Sequence, residues 1–178
     1  MTLRSHGLLD QVDELIKHAR NIPMLMQNSE GDFIQSQLVR YGCLLACAAL
    51  EQSLIESLSG YASRIGDDRV KTFVEEILKT GRNPTPNYIN EIFCKFDSAW
   101  GKNITSYMED EIGAEKIQSI VSNRNRIAHG EAVSLGVKSL IEWAPEVRKL
   151  CLKLNDITTT AYSLRSGRSR RQKRRRPG

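Results

Sequence analysis

Apolar residues recur at intervals of three and four along almost the whole of this chain, and that spacing is the period of an α-helix. Runs that alternate apolar and polar residues, the mark of a half-buried strand, are nearly absent. A chain patterned in this way must bury its stripes helix against helix. The expected fold class is therefore all-α: an up-and-down helical bundle with a long central helix and additional short helices. At 178 residues there is enough chain for one domain with a proper core.

A first helix is expected from about Leu8 to Met26, with Leu8, Val12, Leu15 and Ile16 inward; Pro23 kinks or divides it near its end. After the break NSEGD, Ser29 or Asp32 caps a second helix running from about Asp32 to Ile65. Its stripe is Ile34, Leu38, Tyr41, Leu45 and Ala48, then Ile55, Leu58 and Tyr61. Length and apolarity mark it as the central helix. A third is expected over Asp68 to Leu78, carrying Val70, Phe73, Val74 and Ile77, and stopped by the prolines and glycine of TGRNPTPN. A fourth spans Asn87 to Trp100 and continues weakly through Ile104 and Tyr107. The fifth runs from Ala114 to His129, where Gly130 is the stop. A last helical region opens near Ser134, with Pro145 in the first turn of its main piece and an end near Ser163.

Charge divides the chain. The net charge is +5, yet eight of the 26 Lys and Arg residues lie in RSGRSRRQKRRRPG, residues 165–178, which contains no acid; 18 basic and 21 acidic residues remain. The expected organisation is a helical domain over 1–164 and a disordered basic tail over 165–178, because such a tail buries no apolar surface. The tail reads either as a solubilising end or as an arm that neutralises phosphates irrespective of sequence. The longest apolar run, Cys43 to Leu50, is far short of the ~20 residues that cross a bilayer. The N-terminal segment lacks the apolar core and cleavage site of a secretory signal. No membrane association and a cytoplasmic location are expected. Four cysteines, at 43, 47, 94 and 151, show no zinc-ligand spacing and are expected as structural thiols, so no metal is expected.

Two charged residues interrupt apolar stripes. Arg124 continues the face of Ile117, Ile120 and Val121, and Glu51 stands among Leu44, Ala48, Ile55 and Leu58. A charge turned toward a core is costly unless it is paired or lines a polar cavity. Glu51 and Arg124 are thus a natural pair, either an ion pair without chemistry or part of a site. His129 lies five residues beyond Arg124, about 140° further round the helix, and so does not share its face. The two converge where the helix ends, or where a two-fold partner brings a second copy across the gap. The carbonyls at a helix C-terminus favour a cation, so Arg124 and His129 together make an anion-facing site. No carboxylate cluster suggests a two-metal nuclease; Glu109–Glu111 reads as a solvated face or helix start. Trp100, Tyr107 and Trp143 read as core aromatics, with base stacking as the alternative.

The segment RNRIAHG, Arg124 to Gly130, resembles the signature of the HEPN superfamily: an arginine, a polar residue, a short spacer and a histidine. It also lies late in an all-helical domain after a long central helix, as in that superfamily. Within it, the chain is most similar to the stand-alone RiboL-PSP and MAE-type HEPN proteins, over about residues 5–163. The resemblance implies a homodimer whose motif helices border one shared cleft. In many members it also implies metal-independent endoribonuclease activity in toxin–antitoxin or antiviral systems. Arg124 matches the motif arginine, Asn125 the polar residue after it and His129 the histidine; Glu51 matches an acidic residue found on the long helix of some members. On this resemblance the substrate is RNA, cut by 2′-hydroxyl attack without a cofactor, and an antitoxin or regulatory protein is a further partner. His129 carries the proton, Arg124 holds the phosphate, Asn125 bonds the phosphate or orients the histidine, Glu51 fixes the arginine, and Arg126 makes a surface phosphate contact. The alternative is a non-catalytic RNA-binding or protein-interaction module.

Overall fold

The computed structural model describes residues 4–66, 68–78 and 81–174, without the side chains of Phe73 and of residues 167–174. Among the described residues there are seven α-helices and no strand. They are α1 (Arg4–Leu25), α2 (Ser29–Ile65), α3 (Asp68–Leu78), α4 (Pro86–Phe96), α5 (Ser98–Tyr107), α6 (Ala114–Ala128) and α7 (Val137–Arg174). A π-helical turn, Met108–Ile112, joins α5 to α6. The all-helical bundle that the periodicity dictates is the fold observed.

The long helix α2 is its centre and packs against α1, α3, α6 and α7. It runs antiparallel to α1: Gln35 Nε2 donates to the Ala19 carbonyl at 2.7 Å, while toward the other end Ser5 Oγ donates to Glu56 at 2.6 Å. The long α7 lies along α2 in the same direction. Gly42 meets Leu140, Ser53 Oγ donates to the Cys151 carbonyl at 3.3 Å, and Arg64 reaches Thr159 at 3.3 Å. The shorter helices α3 to α6 carry the chain back between them. Leu50, Leu58, Phe93, Ile117, Leu150 and Leu154 are fully buried where these helices meet.

Contact with four neighbours changes which residues α2 buries. The single stripe expected for it is replaced by burial round much of the helix, including Val39, Cys43, Ala46, Leu50 and Leu54, whereas Tyr41 stays half exposed. Likewise α1 buries Ser5, Leu9, Val12 and Ala19 and leaves Leu8, Leu15 and Ile16 half-buried. A stretch of α2 is long and apolar enough to cross a membrane, although no uninterrupted run suggests it; half of that stretch is buried inside the bundle, as befits a core helix.

Helix ends depart from expectation where a side chain captures a backbone N–H. Asn28, not Ser29 or Asp32, caps α2, its Oδ1 accepting from Gly31 N at 2.9 Å. Thr85 caps α4 with Pro86 in the first turn. The expected fourth helix is two: Asp97 adopts an extended backbone, ends α4 and caps α5 by accepting from Ala99 N at 2.8 Å. Pro145 sits inside α7 rather than in its first turn, and α7 passes the expected end near Ser163 to reach Arg174. Arg165–Arg174 thus falls within the bounds of α7. Arg, Lys and Gln are strong helix formers, and no proline intervenes before Pro177 to stop a helix already anchored by Val147, Leu150 and Leu154. Residues 175–178 lie outside the described residues.

Cys43, Cys47 and Cys151 are buried free thiols, and burial pushes each up to about 12, so they pack as small uncharged groups.

Candidate active site

The apolar face of α6, with Ile117, Ile120 and Val121 buried, seats the helix on the bundle. Cys43 Sγ on α2 donates to the Ile120 carbonyl at 3.6 Å. One turn further along this face the apolar residues give way to Arg124, whose Nη2 stands 3.7 Å from Glu51 Oε1. The pair anticipated from the two stripes therefore forms. It does not face a closed core, because the side chains keep 35% and 36% of their surface exposed. Arg124 Nη1 also donates to Asn125 Oδ1 at 3.4 Å. Both contacts are long, and a guanidinium has five N–H donors. Most of the donor capacity of Arg124 is left for another anion.

Glu51 is in an unfavourable setting for a carboxylate. Burial raises its carboxyl above the ordinary value, and the charge of Arg124 only partly opposes this. Its Oε1 also accepts from Cys47 Sγ at 3.9 Å. That thiol stays protonated because burial, reinforced by the charge of Glu51, holds it near 12.

The end of α6 is closed by backbone geometry. Gly130, at φ 72°, donates to the Ile127 carbonyl at 3.0 Å, and Glu131 N donates to the Arg126 carbonyl at 2.9 Å. This is the Schellman arrangement, and it requires the left-handed residue that glycine supplies. The following loop is held from both sides. Arg126 binds Glu131 Oε2 at 3.0 Å and the Ala132 carbonyl at 2.9 Å, Arg40 on α2 reaches the Val133 carbonyl at 3.5 Å, and Val133 itself is buried. Arg126 is exposed, and its guanidinium clamps this loop. His129, at the cap position, is exposed; its imidazole has no hydrogen bond or ion pair among the described residues.

The structure accordingly joins Arg124, Asn125 and Glu51, and sets His129 just beyond them on an anchored helix end. Of the other expectations, Glu109–Glu111 is solvated. Trp100 packs edge-on to Tyr61 and stacked on Phe96, Tyr107 lies under Lys153, and Trp143 is half-buried against the core. Among the described residues no three His, Cys, Asp or Glu side chains converge as a metal site would need. Sequence reasoning misses Arg40. Its signal is a position four residues before Leu44, on the stripe that carries Glu51.

The family described as RiboL-PSP-HEPN matches residues 8–160, from the first helix into the last. Neither the curated proteins nor the solved structures contain a match to the chain. With an all-helical bundle beneath a match of that extent, and the arginine, asparagine and histidine of RNRIAHG at the end of α6, this protein belongs to the RiboL-PSP-HEPN family, a HEPN-type domain family.

Proposed function

We propose that this protein is a metal-independent endoribonuclease that cleaves RNA by 2′-hydroxyl attack, as a homodimer whose α6 ends border one cleft. One observation carries the reading. A guanidinium with spare donors and a solvent-facing imidazole stand at the end of the same helix, on backbone that the fold holds in place.

In this reaction the 2′-oxygen bonds to phosphorus as the bond to the 5′-oxygen breaks. His129 takes the proton of the 2′-hydroxyl or delivers one to the departing oxygen, and solvent water completes the other transfer. The products are a 2′,3′-cyclic phosphate and a 5′-hydroxyl. Arg124 faces the non-bridging oxygens, where charge gathers in the transition state. Asn125 and Glu51 hold that guanidinium in position. Because the nucleophile belongs to the substrate, the step calls for no metal-activated water and spares DNA. The angular separation of Arg124 and His129 around α6 supports the dimer, since a second helix end fills the gap that one subunit leaves.

We place the activity in the cytoplasm, in a toxin or antiviral role restrained by an antitoxin or regulatory protein. Chemistry that needs only a phosphate and a 2′-hydroxyl reads little sequence, and it calls for such restraint. The alternative, a non-catalytic RNA-binding or protein-interaction module, has one observation in its favour: Glu51 competes with phosphate for Arg124.

Incubation of the protein with mixed RNA, with and without EDTA, tests the reading beside a His129→Ala variant. EDTA-resistant cleavage with cyclic phosphate ends, lost in the variant, is expected. Strict dependence on an added divalent ion, or RNA binding without cleavage, would overturn it.

A further inference from the structure

Away from α6, the C-terminal half of α2 meets α3 and α4 around a cleft of about 710 Å³. Its walls are Ile65, Val70, Val74, Leu78, Ile92 and Phe96. Tyr61 also lines the cleft and is set edge-on to Trp100, with ring centroids 4.9 Å apart. The volume is that of a small-molecule site, in the range of ~300–1,000 Å³. Such a space does not suit a nucleobase. The polar side chains lining it are the Tyr61 hydroxyl, Lys95 and Arg165, too few to satisfy the edges of a base, and unsatisfied polar groups in an apolar site are costly.

Charge decides the headgroup. Lys95 and Arg165 are exposed residues of the lining. Glu91 binds Lys95 at 2.9 Å, but it also takes Arg82 at 3.2 Å, so one carboxylate meets two cations before Arg165 is counted. Arg165 moreover opens a segment with eight Lys and Arg residues and no acid. The mouth is left with an excess of positive charge over an aliphatic interior.

We infer that this cleft binds an amphipathic carboxylate: a single acyl chain against α3 and α4, with its carboxylate at Lys95 and Arg165. No residue of α6 lines it, so this site stands or falls independently of RNA cleavage.

Calorimetric titration of the full chain with dodecanoate, below its micelle concentration, is the test. One equivalent is expected to bind. Decanoate, two methylenes shorter, is expected to bind roughly 15-fold more weakly, at about fourfold per buried methylene. Dodecyltrimethylammonium, of equal chain length and opposite charge, is expected not to compete. Lys95→Gln combined with Arg165→Gln is expected to weaken dodecanoate by on the order of tenfold without changing the Tm of the free protein, because both side chains are exposed. Val70→Phe, which fills the cleft from its wall, is expected to weaken the chain's binding with the two cations intact. Absence of saturable binding, several equivalents without dependence on chain length, equal binding of the cationic amphiphile, or full affinity in the double variant would each overturn the inference.

Discussion

Glu51 is pulled in two directions, and the balance has a measurable consequence. Burial holds its carboxyl above the ordinary 4.5 while Arg124 opposes the shift. In the unfolded chain the group titrates at the ordinary value. Between that value and the raised one the folded protein binds more protons, so stability falls as pH rises through the window. Glu51→Gln removes the titrating group. Urea unfolding between pH ~4 and ~7 is expected to show wild-type stability declining relative to the variant as pH increases; parallel courses would refute the shift. His129 makes a different demand, since its side chain is exposed and contributes nothing visible to the core. His129→Ala is expected to leave the unfolding midpoint unchanged and to lower kcat for RNA cleavage by about 10²–10⁴-fold, the usual contribution of a proton-transferring group.

At the scale of elements, the end of α6 and its loop form one device. Backbone hydrogen bonds close the helix, and Arg126 then ties its last turn to Glu131 and Ala132. The Arg126–Glu131 pair is about half exposed, so its effect on global stability is expected below ~1 kcal/mol. Its effect is on local order instead. Arg126→Gln is expected to speed amide exchange over Gly130–Val133 and to reduce cleavage, with the unfolding midpoint nearly unmoved. Protection equal to wild type would show that Val133 and Arg40 hold the loop without it. The break at Asp97 is a second such device, in which one side chain converts a continuous helical pattern into two short helices.

For the whole molecule, the contact between α2 and α7 sets how closely the two longest helices approach. A Cβ at Gly42 would overlap Leu140 Cδ2, and Leu140 is fully buried, so its side chain would have to shift within the core. Gly42→Val is therefore expected to destabilise by about 1–3 kcal/mol through overpacking, read from the urea midpoint; an unchanged midpoint would mean that α7 can slide along α2. The proposed dimer makes its own prediction. If one subunit's Arg124 works with the other's His129, mixing Arg124→Ala and His129→Ala proteins restores one intact combination in each mixed dimer. Recovery of roughly a quarter of wild-type activity is expected from random pairing of two-fold subunits. No recovery would assign both groups to the same subunit.

Much of this protein is legible before any coordinates. The spacing of apolar residues dictates helices, because amphipathic periodicity is a local property carried within each segment. The length of α2, the bounds of α3 and the stop at Gly130 follow from the same local rules. Glu51 and Arg124 are visible for a related reason: a charge on an apolar stripe is an anomaly that only a partner resolves. What segments become next to one another is not a local property. Four neighbours determine which sides of α2 are buried, and so place Tyr41 outside and Val39 inside. The contact of Arg40 with the loop carbonyl of Val133 depends on groups brought close only after the helices pack. The cleft beside Tyr61 exists on the same terms, for its walls come from helices whose meeting no single stretch of sequence encodes.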